Sequence, residues 1–184
     1  MKAGGVNIVA PKAPAHIMIC MFNLYIDADA CPVKEECYRV AKRYALPVLV
    51  VANCTMRIPV DPSVTMVVQT GFGAADDWIA EQIGPGDIAI TVDVPLAARC
   101  VEKGALVITA KGFLYTDSNI GDALALRNLN EELRQAGVLG AGGPAPMMPK
   151  DRSKFLATLD QAVQSVRKTF RNARDELLSF QSLF

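Results

Sequence analysis

Short runs of consecutive apolar residues alternate with segments of helical spacing along most of the chain. Asn23–Ile26 is an apolar run that ends in Asp27 and reads as a buried strand. Pro32 stands where helices start. Val33 to Tyr44 then carries its charges on one side and Cys37, Val40, Ala41 and Tyr44 on the other. Pro47–Ala52 is a second apolar run, rich in β-branched residues, and Val64–Val68 is a third, after the turn-like Asp61-Pro62-Ser63. Ala74–Ile83 reads as a helix with Asp76 and Asp77 in its first turn, and Gly84-Pro85-Gly86 stops it. Ile88–Val92 is a fourth strand and ends in Asp93. Pro95 starts a helix that runs to Lys103 and stops at Gly104, and Ala105–Thr109 is a fifth strand.

Strands that are apolar throughout and alternate with helices imply a parallel sheet covered on both faces. The expected fold is a three-layer α/β/α domain with a mostly parallel sheet of about five strands, followed by C-terminal helices. Gly112–Tyr115 reads as a short strand-like connector. Asn119–Ala136 reads as a helix with Ser118 as N-cap and Gly137 just past its end. A Gly/Pro-rich loop, Gly140 to Pro149, follows. From Lys150 to Ser179, apolar residues at Phe155, Leu159, Val163, Val166, Phe170, Ala173 and Leu177 make an amphipathic helix. Its apolar face packs either on the core or on a second subunit, so the helix is a candidate homo-oligomer surface.

Composition adds limits. The chain has 184 residues, 51% hydrophobic and 21% charged, which fits one globular domain with an appendage. The expected division is a flexible or non-native leader at 1–22, with Met21 as an alternative start, a domain at 23–165, and a helical extension at 166–184. No 18-residue apolar run exists, which argues against a membrane span. Five cysteines without a CxxC pair, beside a single His16, exclude a Cys/His zinc set and suit reduced thiols in the cytoplasm. Among them, Cys31 precedes a helix and reads as packing or capping rather than as a nucleophile. The 19 basic and 19 acidic side chains cancel overall. By segment they do not: residues 23–122 hold 8 basic and 13 acidic side chains, and residues 123–184 hold 9 basic and 6 acidic. Zero net charge therefore leaves a nucleic-acid partner open, with Arg167, Lys168, Arg171 and Arg174 crowded on the last helix.

The aspartates carry the chemistry. In an open parallel sheet, ligands bind at the carboxyl ends of the strands. Asp27 and Asp29 follow strand one, Asp93 follows strand four, and Asp76 and Asp77 open the helix after strand three. Gathered carboxylates repel one another and raise one another's pKa. A hard divalent cation relieves this, so Mg²⁺ or Mn²⁺ held by Asp27, Asp29, Asp76, Asp77 and Asp93 is the expected cofactor. The competing reading is that Asp76, Asp77 and Asp93 only cap helices. Asp87 belongs to a Gly-Pro-Gly-Asp turn on the opposite edge and reads as structural. Asn53, Arg57 and Asn119 are the candidates for holding substrate, and Trp78 reads as core.

The string Tyr25-Ile-Asp-Ala-Asp-Ala-Cys-Pro-Val-Lys34 is specific. With it stand Ala75-Asp-Asp77, Thr91-Val-Asp-Val-Pro-Leu-Ala97, Tyr115-Thr-x-x-Asn-Ile120, Asn53 and Arg57, Arg127, and Gly142-Gly-Pro144 before Asp151-Arg152 and Phe155. Together, over about residues 22 to 165, these resemble the YaiI/YqxD family of uncharacterised bacterial proteins. That family is similar to PIN-like nucleases, whose acidic residues at strand ends hold Mg²⁺ or Mn²⁺ and cut RNA. The resemblance implies that Asp27 is the first acidic ligand, Asp76 or Asp77 the helix one and Asp93 the later strand one. Asp29 sits where many PIN domains carry Asn or another polar residue. The expected function is a metal-dependent nuclease acting on RNA. A metal-activated water attacks the phosphodiester, with Asp27, Asp76, Asp77 and Asp93 catalytic. Two alternatives stand beside it. One is a non-catalytic metal- or RNA-binding module. The other is a HAD-like phosphatase with Asp27 as nucleophile and Asp29 as acid/base, although Asp87 precedes strand four and lies on the wrong edge for a second acidic motif.

Overall fold

The computed structural model describes residues 22–29, 31–138 and 146–181, with side chains through residue 175. The leader with Met21, His16 and Cys20, the Gly142-Gly-Pro144 segment and the end of the C-terminal extension lie outside the described residues. The chain runs β1 (Leu24–Asp27), α1 (Lys34–Tyr44), β2 (Val48–Ala52), β3 (Val64–Val68), α2 (Ala74–Gln82), β4 (Ile88–Ile90), α3 (Val94–Glu102), β5 (Leu106–Ile108), β6 (Leu114–Tyr115), α4 (Ile120–Gln135) and α5 (Pro149–Gln181). One sheet of order β3-β2-β1-β4-β5-β6 holds every strand among these residues. Its first five strands are parallel, and β6 adds an antiparallel edge to β5. The architecture is three-layer α/β/α, with one more strand than the sequence pattern alone suggests. The extra strand is the Gly112–Tyr115 connector, whose Leu114 and Tyr115 pair with Ile108 and Val107.

Alternation along the strands sorts the core into two layers. Leu24 and Ile26 of β1, Val48 and Val50 of β2 and Ile88 and Ile90 of β4 face one side, with Val33, Cys37 and Val40 of the α1 region and Phe155, Leu159 and Val163 of α5. Tyr25, Val51, Ala89 and Val107 face the other, with Ile79 of α2 and Leu96, Cys100 and Val101 of α3. Trp78 packs against this second layer, tilted on Tyr25, and is core as expected. Cys31, Cys37 and Cys100 are buried free thiols and Cys54 is an exposed one.

Phe155, Leu159, Val163 and Val166 on the apolar face of α5 pack on this domain's own core. The helix runs unbroken past position 165, Val166 is buried with the α1 layer, and Phe170 stacks on Phe22. Its contact with the 109–113 turn is close. A Cβ at Gly112 would lie 2.7 Å from the Phe155 backbone nitrogen, and Gly112 holds φ +70°. Only glycine meets both demands.

One helix boundary differs from the sequence reading. Asn119, rather than Ser118, occupies the N-cap of α4. Its side chain does not cap the helix. Oδ1 accepts from the Thr116 nitrogen at 2.9 Å and Nδ2 donates to the Leu114 carbonyl at 3.0 Å.

Candidate functional site

The chain enters the sheet at its centre. It moves outward through β2 and β3, then crosses back by α2 to β4 on the other side of β1. The strand order therefore reverses between β1 and β4, and ligands of open α/β sheets bind at such a point, outside the carboxyl ends. A cleft of about 300 Å³ opens there, lined by Asp27, Asp29, Asn53, Gly73, Ala75, Asp76, Val92 and Asp93.

Side-chain parity aims the first carboxylate. Asp27 ends β1 two residues after Tyr25, so it points to the α2/α3 side of the sheet. It is 8% exposed. The Thr91 hydroxyl donates to Asp27 Oδ2 at 2.7 Å, and Thr91 Oγ1 in turn accepts from the Asp93 nitrogen at 3.0 Å. Burial pushes the Asp27 carboxyl above its ordinary pKa; the Thr91 hydrogen bond opposes this and the charges of Asp29 and Asp93 reinforce it. Asp29 lies just past the strand, exposed, and its Oδ2 accepts from the Asn53 nitrogen at 3.1 Å. Asn53 thus lines the cleft and holds Asp29 through its backbone.

Asp76 and Asp77 are adjacent, yet they face different surroundings. Gly73 is the N-cap of α2 and has no side chain to offer. Asp76 lines the cleft and takes part in no side-chain hydrogen bond among the described residues. Burial, followed by the charges of Asp27 and Asp93, pushes its carboxyl up to about 6. Asp77 turns away and pairs with Arg99 at 2.8 Å, 63% exposed. Asp77 is therefore not a lining residue, although the sequence places it level with Asp76. The capping explanation holds for Asp93 alone: its Oδ1 accepts from the Leu96 nitrogen at 2.7 Å, as an N-cap does.

Three other expectations resolve as follows. Asp87 is structural, accepting from the Asn23 and Gly84 nitrogens at the opposite edge. Asn119 is held inside the β6–α4 turn and does not line the cleft. Arg57 is exposed on the β2–β3 loop and does not line the cleft either. Thr91 and Val92 are the residues that the sequence reading left without a role. Their signal is position: both lie between the end of β4 and Asp93.

The donor set suits a hard cation: four carboxylates, oxygen only, two of them raised in pKa by crowding and burial. As the side chains stand, no group of three or more His, Cys, Asp or Glu among the described residues is arranged to hold a metal together. Mg²⁺ does not require one. It commonly takes one or two carboxylates and keeps several waters.

Fold and cleft define a doubly wound α/β domain with an acidic site at its switch point. The chain belongs to the YaiI/YqxD family: the family model described as "Uncharacterized BCR, YaiI/YqxD family" matches residues 25–165. The chain is similar to a UPF0178 protein of Rhodopseudomonas palustris (strain BisB18), 50% identical over 152 residues, or 82% of this chain and 97% of that one. It is also similar to a UPF0178 protein of Rhodospirillum rubrum, 52% identical over 148 residues, 79% of this chain and 98% of that one. No solved structure matches. No helix among the described residues is long and apolar enough to cross a membrane.

Proposed function

We propose that the chain is a Mg²⁺- or Mn²⁺-dependent nuclease acting on RNA. The observation that carries this is the convergence of Asp27, Asp29, Asp76 and Asp93 on one cleft, with the Asp76 carboxyl pushed to about 6. Such a cleft repels a phosphodiester unless a cation offsets its charge. The likeness of the YaiI/YqxD family to PIN-like nucleases agrees with that chemistry. A bound cation would offset the carboxylates, activate a water and steady the oxygens of an in-line displacement.

The chain's own residues have distinct parts in this reading. Asp27 and Asp76 would hold the cation, Asp27 oriented by Thr91 and Asp76 by its place in the first turn of α2. Asp29 faces the same cleft with its carboxylate steadied by the Asn53 nitrogen. Asp93 keeps one oxygen in the α3 cap and presents the other. Arg57, exposed on the loop that begins at Asn53, is a candidate to meet a phosphate outside the cleft.

The test is calorimetric Mn²⁺ titration of the wild type and Asp27→Asn, followed by incubation with single-stranded RNA. Cleavage that requires both Mn²⁺ and Asp27 is expected. Absent Mn²⁺ binding removes the basis of the proposal. A second reading is a non-catalytic metal- or RNA-binding module on the same acidic cleft. Mn²⁺ binding without cleavage of any RNA would select it. A phosphatase using Asp27 as nucleophile has less support, because Asp27 is buried against Thr91 and no Lys or Arg is among the cleft's lining residues.

A further inference from the structure

The loop between β3 and α2 carries Phe72, whose side chain is fully exposed at 109%. Full exposure of a phenylalanine forgoes the burial that normally retains it in a globular chain. Gly71 holds φ +131° and Gly73 φ +69°, both in the region that side chains disfavour, so two glycines bracket the ring. The Gln69 nitrogen donates to the Ala52 carbonyl at 3.0 Å, and the Asp77 nitrogen to the Gly73 carbonyl at 2.9 Å. The loop thus runs from a strand end to a helix start while the ring stays outside the core.

Position gives the exposure meaning. Gly73, the next residue, lines the acidic cleft, and Asp76 follows three residues later. Val92, 48% exposed, adds an apolar surface to the cleft lining beside Asp93. The cleft itself presents only carboxylates and neutral groups, so it offers a nucleic acid no attractive charge of its own. Affinity near the site has to come from a cation and from uncharged contacts. An exposed ring is suited to the second, since base–aromatic stacking is tolerant of sequence and available only to unpaired bases.

We infer that Phe72 is a stacking platform for an unpaired base of the strand whose phosphate lies at the cleft, which makes single-stranded nucleic acid the substrate class. The inference rests on the nuclease reading for the location of the phosphate, but its own readout is binding.

The test is fluorescence anisotropy of a labelled single-stranded oligonucleotide, with a blunt duplex of the same length as comparison, in Mn²⁺ at low temperature. Phe72→Ala is expected to weaken single-strand binding by about 5- to 100-fold. Phe72→Trp is expected to keep it, and duplex binding and calorimetric Mn²⁺ affinity are expected to be the same in all three proteins. Equal single-strand affinity in wild type and Phe72→Ala overturns the inference, as does a wild type that binds no single strand. Concentration-dependent self-association that Phe72→Ala abolishes also overturns it, assigning the ring to a second copy of the chain. Phe72-dependent binding without Mn²⁺-dependent cleavage supports the platform while sinking the nuclease reading. Cleavage that requires Asp27 and Mn²⁺, with single-strand affinity indifferent to Phe72, does the reverse.

Discussion

Thr91 donates its hydroxyl hydrogen to Asp27 Oδ2 at 2.7 Å, joining the ends of β4 and β1 where the sheet reverses its order. The hydroxyl also accepts from the Asp93 nitrogen, so one side chain aligns a buried carboxylate and the entry to α3. Thr91→Val keeps the shape and removes both bonds. It leaves a buried carboxylate oxygen and a backbone N–H without their partner, so a loss of about 1–3 kcal/mol is expected in urea unfolding. Thr91→Ser is expected to recover most of it. Losing the bond that lowers the Asp27 pKa also raises that pKa further, which carbon-13 NMR titration of the carboxyl would read.

Asp76 sets a pH dependence with a definite sign. Its folded pKa of about 6 lies above the ordinary value, so the folded chain retains a proton that the unfolded chain has already released. Its contribution is most favourable below the unfolded value near 4. It declines as pH rises through about 6 and stays unfavourable above. Asp76→Asn removes this dependence. Thermal melts should show the variant gaining on the wild type between about pH 4 and 6 and holding that gain at pH 7. A divalent cation favours the ionised form, so added Mn²⁺ should narrow the gap and bind more weakly as pH falls below 6.

Asp76 and Asp77 should separate cleanly in metal binding. Asp76→Asn is expected to weaken Mn²⁺ binding by tenfold or more, corresponding to about 1.4 kcal/mol. Asp77→Asn loses only its exposed pair with Arg99 and should leave the affinity within about twofold. Equal losses in the two variants would contradict the site geometry.

The Arg152–Glu36 pair ties the start of α5 to α1. Arg152 Nη1 donates to Glu36 Oε1 at 2.8 Å and to the Pro32 carbonyl at 3.1 Å. Glu36 is buried, and its Oε2 has no hydrogen-bond partner among the described residues. Arg152→Ala therefore exposes a buried carboxylate to the lack of its main partner and should cost about 1–3 kcal/mol in urea unfolding. Adding Glu36→Gln to Arg152→Ala should recover part of that loss, a coupling that a double-mutant cycle measures.

Gly112→Ala tests the docking of α5. The added methyl meets the Phe155 backbone at 2.7 Å and the position holds positive φ. A destabilisation of about 1–3 kcal/mol is expected, with α5 losing amide-exchange protection before the sheet does.

The order of strands and helices was legible because continuous apolar runs such as Pro47–Ala52 and Ile88–Val92 have few other solutions than buried parallel strands. β6 was less legible, since two residues carry no periodic signal and their pairing depends on β5. The α5 helix was visible from its spacing. That Phe155, Leu159 and Phe170 pack on this domain depends on contacts more than a hundred positions away in the chain, such as Phe170 with Phe22.

The sequence by itself determined that acidic residues follow strands one and four and open the helix after strand three, because local patterning places strand ends and topology places those ends on one edge. It also determined that Asp87 lies on the other edge. Only the tertiary structure decided what each carboxylate does. Asp76 and Asp77 share a helical turn, but consecutive residues on a helix point about 100° apart, so one lines the cleft with Asp27 and the other pairs with Arg99. Asp93 became a cap, Asn119 a turn residue, and Thr91 the partner of Asp27, each through a neighbour that the linear pattern does not specify. Hydrogen bonds between elements depend on sub-ångström placement, and that is set by packing rather than by periodicity.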